Sequence, residues 1–476
     1  MTTKIINRAL VVALITAFLG GCVPVLKNTK TLNKEVPSSY NSSKDTVTIA
    51  KIKWKDYFSD ANLIALIDTA LKNNQELNIM LQEIQISKNE VRARKGEYLP
   101  FVGLQGAAGL EKLSKYTWRG GVEDNLNVTN NPEAIESQSD FMLGLGASWE
   151  IDVWKKLRNA KKSAVYKYLS SIEGKNFMVT NLIAEISNSY YELMALDNML
   201  DILQKNMQIQ SDALKVIKEQ KNAAKVTQLA VNRFEAQLLN TQNLQYGIKQ
   251  QIVETENRIN FLTGRFPKPI ERNWKSFFDL ATDSIQAGIP SQLLINRPDI
   301  RQTEMDLAAA KLDIKVARAN FYPSFKITAG VGFQAFNPSV LINPQSIIYT
   351  LAGDLVAPLI NRNAIKANYY TASAKQIQAV YNYEKTILNA HIDVLNQLSK
   401  IDNFGKSYDV KSKEVDLLNQ SIGISNNLFQ SARADYMEVL LTQREALESK
   451  LELIEIKTKQ MNAKIGIYKA LGGGWN

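Results

Sequence analysis

The chain has 476 residues, 45% of them hydrophobic and 22% charged, with a formal net charge of +10. That length and hydrophobic share exclude a disordered chain and allow a sizeable core. A single cysteine, Cys22, and a single histidine, His391, exclude an internal disulfide and a clustered Cys/His metal site.

The first elements in chain order are a targeting segment and an anchor. Lys4 and Arg8 form a positive n-region, and Ala9 to Leu19 is apolar apart from Thr16. This run is too short for a membrane-spanning helix, which needs about 20 residues. It ends in Leu19-Gly20-Gly21-Cys22, which resembles the bacterial lipobox, where small residues precede a cysteine that is acylated before cleavage. Residues 1–21 are thus expected to be a lipoprotein signal peptide, and Cys22 to carry N-acyl and S-diacylglycerol lipid; a free thiol is the alternative. No other cofactor is expected. Val23 stands where an Asp would favour retention at the inner membrane, so outer-membrane delivery is expected. Residues 22–60 read as an N-terminal linker.

No proline occurs between Pro132 and Pro267 or after Pro358, and from Lys155 to Leu262 the only glycines are Gly174 and Gly247. Little there stops a helix. Apolar residues recur every seven positions in three series: Val165, Ile172, Val179, Ile186, Leu193, Leu200, Met207 and Leu214; Val380, Ile387, Val394, Ile401, Tyr408, Val415 and Ile422; and Leu440, Leu447, Ile454, Met461 and Tyr468. Sustained heptads predict long helices packed along their lengths. A helix over 155–221 extends roughly 100 Å at ~1.5 Å per residue, beyond the size of a compact domain.

The chain also repeats itself. Residues 71–107 align without a gap on 294–330, pairing Asn74-Gln75-Glu76-Leu77 with Arg297-Pro298-Asp299-Ile300 and Tyr98-Leu99-Pro100 with Phe321-Tyr322-Pro323. Leu145 to Ile186 maps onto Leu351 to Ile392, and Val226 to Ala236 onto Tyr436 to Ala446. Each copy reads as a helix, an X-Pro break, a strand, a loop, a second strand and two long helices. Repeat 1 covers 61–263, with strands near 99–108 and 141–152 and long helices 155–221 and 226–262. Repeat 2 covers 291–471, with strands near 324–334 and 347–358 and long helices 361–431 and 434–471. Residues 264–290 form an equatorial linker, and 472–476 a C-terminal tail. The fold class is α+β, mainly α.

In Phe141 to Ile151 and Phe325 to Phe333 the odd positions are apolar, a period-two pattern. A soluble half-buried sheet uses the same alternation. Length and number favour a membrane: a tilted transmembrane strand needs ~9–11 residues, and four strands cannot close a barrel alone. Closure requires several chains, and three supply twelve strands. The loops at 109–139 and 335–346 are then external, with the long helices on the periplasmic side.

Ile289-Pro290-Ser291-Gln292-Leu293-Leu294-Ile295-Asn296-Arg297-Pro298-Asp299-Ile300-Arg301, Val316 to Pro323, Trp149-Glu150-Ile151-Asp152-Val153-Trp154 and Ala470-Leu471-Gly472-Gly473-Gly474-Trp475 closely resemble, in order, the outer membrane factor family of bacterial efflux systems (TolC/OprM-like), in its NodT-type lipoprotein branch. The resemblance implies a homotrimer with a 12-stranded β-barrel continuous with an α-helical barrel. It also implies two partners, a periplasmic membrane fusion protein (adaptor) and an inner-membrane pump of the RND type. The function implied is a passive exit duct for small molecules such as drugs or toxic compounds, lipid-anchored in the outer membrane. A structural coiled-coil lipoprotein or an adaptor without its own channel is the alternative.

In the family, the turns between paired long helices form the periplasmic tip. Here they read Ala224-Lys225-Val226-Thr227-Gln228-Leu229-Ala230-Val231 and Ala432-Arg433-Ala434-Asp435-Tyr436-Met437-Glu438-Val439-Leu440-Leu441-Thr442-Gln443. Ala224 and Ala432 replace turn glycines, and Ala230 and Leu441 replace aspartates. The resemblance places adaptor docking at Ala224, Lys225, Thr227, Ala432 and Tyr436, and the aperture at Arg433, Asp435, Glu438 and Leu441. Threefold symmetry would gather three Glu438 carboxylates into a ring able to bind a cation, and Arg433 and Asp435 are close enough in sequence to pair.

Catalysis finds little support. His391 lies on a heptad-rich helix, where packing is its expected role, and acylation would consume Cys22. No phosphate-binding loop occurs. The lysines read as dispersed among Glu and Asp along solvated helix faces, and no nucleic-acid partner is expected.

Overall fold

A computed structural model describes residues 23–26, 30–40, 47–114, 116–125, 138–280, 286–431 and 433–475. Cys22 and Ala432 lie outside them, as does the signal segment. The principal helices are α1 (Ala61–Asn73), α2 (Gln75–Tyr98), α3 (Lys156–Asn222), α4 (Gln228–Leu262), α5 (Pro298–Ala319), α6 (Asn363–Gln430) and α7 (Tyr436–Ala470). The strands are β1 (Phe101–Glu111), β2 (Gln138–Ile151), β3 (Ser324–Ala335) and β4 (Ile347–Val356). Strand β1 thus runs three residues past the expected end, and β2 starts three before the expected beginning, because the two pair to the end, Glu111 on Gln138.

The chain divides into two compact units, and each draws on both sequence repeats. One comprises Met1–Thr31, Gln85–Leu169 and Met305–Val380; the other comprises Leu32–Ile84, Ser170–Glu304 and Tyr381–Asn476.

The first unit is built on an antiparallel sheet of order β1-β2-β3-β4. Its register puts Leu104, Leu145, Val331 and Tyr349 side by side, and Gly103, Gly146, Gly330 and Thr350 side by side on the other face. Alternation therefore sorts the strands into an apolar face and a face of small and polar residues. At the centre Gly144 opposes Gly332, and a Cβ on Gly144 would stand 2.7 Å from the Val331 carbonyl oxygen. Only glycine permits so close an approach.

Pro100 and Pro323 stand just before β1 and β3, where a missing N–H ends the preceding helix. Beyond β2 the chain turns at Lys155, φ +58°, and beyond β4 at Asn361, φ +52°. The buried Asp152 carboxylate accepts the N–H groups of Leu157 at 3.0 Å and Arg158 at 2.9 Å, capping the start of α3.

The second unit packs α1 on the long helices. Asp60 caps α1 through the N–H groups of Asn62 and Leu63 and accepts the Tyr190 hydroxyl at 2.9 Å. Leu63, Leu66, Ile67 and Ala70 then bury against Ile183, Ile186, Tyr190 and Leu193 of α3 and Ile454, Met461 and Tyr468 of α7. Ile186, Leu193, Ile454, Met461 and Tyr468 among them are heptad positions, and a fully buried Leu, Ile or Met side chain is worth about 1.5–3 kcal/mol.

Both of the segments read as linkers carry structure. Tyr40 is fully buried and stacks on His391 at 5.5 Å, in keeping with a packing role for that histidine. Within 264–290, Arg272 pairs with Asp197 and Glu256, and Ile270 and Phe277 are buried.

The internal repeat is visible at two joints. Gly264 (φ +66°) and Gly472 (φ +89°) follow α4 and α7 in the left-handed conformation. A Cβ on Gly264 would lie 2.3 Å from the Asn73 carbonyl oxygen, and one on Gly472 2.6 Å from that of Asn296. Each glycine seats the end of a long helix on the end of a short one.

Candidate functional site

The exposed surface of the sheet is the first functional feature. Leu104 is 75% exposed, Leu145 51%, Val331 54% and Tyr349 83%. A half-buried soluble sheet covers its apolar face; here the apolar face is exposed. Strands β1 and β4 each have one unpaired edge, a liability that natural sheets rarely leave open. The connections to α2, α3, α5 and α6 all leave from the same end, since Phe101 pairs with Ser148, Ile151 with Phe325, and Ser324 with Val356, while the β1–β2 connection at the other end holds, among its described residues, only the short helix Trp118–Asn125. Among the described residues no helix is long and apolar enough to cross a membrane.

Two further stripes in the helical unit are exposed. Leu239, Tyr246 and Val253 recur at heptad spacing on α4, as do Val410, Leu417 and Ile424 on α6, all at least half exposed. Heptad seams left uncovered within a chain fit partner helices.

The helical unit also holds a groove of about 910 Å³ where polar stripes from three helices converge. Helix α3 contributes Asn181, Glu185, Asn188 and Glu192; α6 contributes Asp393, Gln397 and Lys400; α7 contributes Lys459, Asn462, Gly466 and Lys469. The three- and four-residue spacing places each set on one helix face, and on α3 that face is opposite the one buried in the core. The side-chain oxygens of Asn188 and Asn462 find no protein donor. Such a wall is wettable and carries both signs of charge. Sequence reading followed the apolar heptads and missed this stripe, whose signal was the matching period of polar residues.

At one end of the groove, Arg297 is buried. It holds Asp299 through Nε at 3.0 Å and Nη2 at 2.7 Å, donates to the Ala470 carbonyl at 3.0 Å, and pairs with Asp393 at 3.4 Å. Burial pulls its pKa down, but the hydrogen bonds and charges of Asp299 and Asp393 outweigh that and leave it raised. In the first repeat Asn74 makes the corresponding bond to the Leu262 carbonyl, at 2.9 Å.

The hairpin tips meet in a small apolar cluster of Leu214, Ile217, Ala230, Val231 and Phe234, with Phe429, Tyr436 and Leu440 packed on it. Ala230, where the family pattern has an aspartate, is fully buried there. Ala224 has φ +59°. The N–H of Lys225 bonds the Gln220 carbonyl at 2.9 Å and that of Ala224 the Lys221 carbonyl at 3.0 Å. This pattern is a Schellman turn, which favours glycine at the position of Ala224. The N–H of Arg433 makes the matching bond to Leu428.

Lys225, Arg433, Asp435, Glu438 and Leu441 are exposed, while Thr227 and Asp435 precede the first turns of α4 and α7. Glu438 and Leu441 share a face of α7. The expected Arg433–Asp435 ion pair is absent: no salt bridge involves either among the described residues, because both are solvated at a turn where such a pair adds little. Among the described residues no cluster of three His, Cys, Asp or Glu side chains could hold a metal.

Residues 66–265 and 289–473 match the profile of the family described as outer membrane efflux protein. The chain is 27% identical over 432 residues to the solvent efflux pump outer membrane protein SrpC of Pseudomonas putida, covering 90% of this chain and 89% of that one. It is 24% identical over 422 residues to the cation efflux system protein CusC of Escherichia coli, covering 89% and 88%. The open-state MtrE outer membrane channel of Neisseria gonorrhoeae shares its fold, with a TM-score of 0.82 at 21% identity over 95% of this chain and 99% of that one. The two matched segments span both sequence repeats and contain both joints, and on that ground the chain belongs to the outer membrane efflux protein family.

Proposed function

We propose that the chain is one subunit of a homotrimeric, passive exit duct in the outer membrane, working with a periplasmic adaptor and an inner-membrane pump of the RND type. One observation carries the reading: a four-stranded sheet with an exposed apolar face, two open edges, and its four long flanking helices all at one end. Three copies pair β4 of one with β1 of the next, and the alternating strand directions make each new pair antiparallel. Twelve strands then enclose the small and polar face while the apolar face meets lipid. The exposed stripes on α4 and α6 close the helical wall in the same way, and the groove becomes its wetted lining. A coiled-coil lipoprotein or an adaptor has no use for such a sheet.

The names of the two relatives link one to solvents and the other to cations, as suits a duct that leaves selectivity to its pump. The tips around Ala224, Lys225, Thr227, Ala432 and Tyr436 receive the adaptor, and acylation at Cys22 anchors each subunit. Three Glu438 carboxylates, with Leu441 one turn on, line the aperture that docking opens. The duct itself moves cargo without chemistry.

Reconstitution in planar bilayers tests this. The purified protein should run as a detergent-resistant trimer and conduct ions. Glu438→Gln should weaken divalent-cation block or shift conductance. A soluble monomer without conductance would sink the duct, and a Glu438→Gln channel identical to wild type would sink the ring.

A further inference from the structure

The helix-bearing end of the sheet carries a charge that the rest of the chain lacks. Four segments adjoin that end: 85–100 before β1, 152–169 after β2, 305–323 before β3 and 357–380 after β4. Together they hold sixteen lysines and arginines against five aspartates and glutamates, a surplus of eleven, whereas the whole chain's surplus is ten. The remainder is therefore neutral to within one charge. The expectation that the lysines are dispersed in company with Glu and Asp fails here, and all four segments belong to the sheet-bearing unit.

Few of these cations are neutralised within the chain. Arg94 pairs with Glu90 and Glu97, Lys156 with Glu150, Arg158 with Asp152, and Lys167 with Asp313. Arg92, Lys95, Lys155, Lys162, Arg318 and Lys366 are exposed, with no ion-pair partner among the described residues. Lys155 even occupies a left-handed turn position, φ +58°, where the second repeat has the more permissive Asn361.

Three neighbours indicate what this charge faces. Aromatic side chains crowd the same end: Trp149 Nε1 donates to the Tyr98 carbonyl at 3.2 Å, and Trp154, stacked on Tyr322 at 4.7 Å, donates to that of Pro323 at 2.7 Å. Such rings, apolar in body and polar at one tip, gather where a bilayer meets water. The apolar face of the sheet ends at Ile151 and Phe325. At ~1.5 Å per helical residue, Lys155 to Lys162 span roughly one headgroup layer below it. Val23 and Leu26, next to the lipidation candidate Cys22, pack on the cluster of Phe321 and Tyr369 at this end.

We propose that this collar is a binding site for anionic phospholipid headgroups in the leaflet on the helix side of the sheet. The inference rests on the sheet being the membrane-spanning part of the trimer. Exposed cations within a Debye length of an anionic surface attract it, and a ring of three collars multiplies the effect.

The test uses the full-length trimer in vesicles of phosphatidylethanolamine mixed with phosphatidylglycerol, with either lipid brominated in turn. Quenching of tryptophan fluorescence then reports which lipid lies against the protein. Phosphatidylglycerol should associate about threefold or more in excess of phosphatidylethanolamine, and the preference should fall as salt is raised. The variant Lys155→Asn/Lys162→Gln/Arg318→Gln/Lys366→Gln should lose it. A variant with the same charge loss in the helical unit, Lys249→Gln/Lys268→Gln/Lys275→Gln/Lys413→Gln, should keep it. No preference in the wild type, or equal loss in both variants, overturns the proposal. Conductance of the same preparation separates the two readings: a conducting channel without lipid preference defeats the collar alone, and a protein that fails to insert defeats the duct and the collar together.

Discussion

At the first joint of the repeat, Asn74 donates to the Leu262 carbonyl at 2.9 Å, and its own side-chain oxygen accepts the Leu77 N–H at 2.9 Å. At the second, Arg297 donates to the Ala470 carbonyl at 3.0 Å while gripping Asp299 and Asp393. Both side chains satisfy a carbonyl left over at the end of a long helix, and both sit beside a glycine turned into the left-handed region. The amide does the work of a cap alone, whereas the guanidinium adds charge pairing and reaches the groove. Duplication has kept the geometry of the joint and let its chemistry diverge.

Substitutions can break or sharpen that contrast. Arg297→Ala should have the largest effect, about 3 kcal/mol or more of lost stability, because it strands the Asp299 carboxylate as well as the Ala470 carbonyl. Asn74→Ala should cost less, about 1–3 kcal/mol, since only neutral groups lose partners. Denaturation midpoints of the purified variants provide the check, and equal losses at the two positions would show that charge adds nothing at the second joint. The smallest effect is a gain. Ala224 occupies at the tip the left-handed place that Gly264 and Gly472 fill at the joints, so Ala224→Gly should stabilise that turn by about 1 kcal/mol. Slower amide exchange around Lys225 would report it, and faster exchange would count against a strained turn.

Parts of this were legible in the sequence because they depend on near neighbours. Heptads in Val179, Ile186 and Leu193 announced α3, and period-two alternation from Leu143 to Trp149 announced β2. Pro100 and Pro323 marked where helix gives way to strand. The tip motifs identified Ala224 as a residue in a glycine's place. Other parts were hidden. The pairing of Arg433 with Asp435 was read from proximity in sequence, and a turn sets their directions instead.

What the sequence determined by itself, then, is the kind and order of the elements, their duplication and the family, because periodicity, turn chemistry and motifs are local. Only the tertiary structure decided that the apolar sheet face lies exposed, that α2, α3, α5 and α6 all meet one end of the sheet, and that the surplus charge collects there. It also decided that Asn74 and Arg297 serve the same carbonyl position. Each of these depends on residues far apart in the chain being brought together, Leu104 and Tyr349 among them, and strand register and helix packing, not local propensity, select those partners.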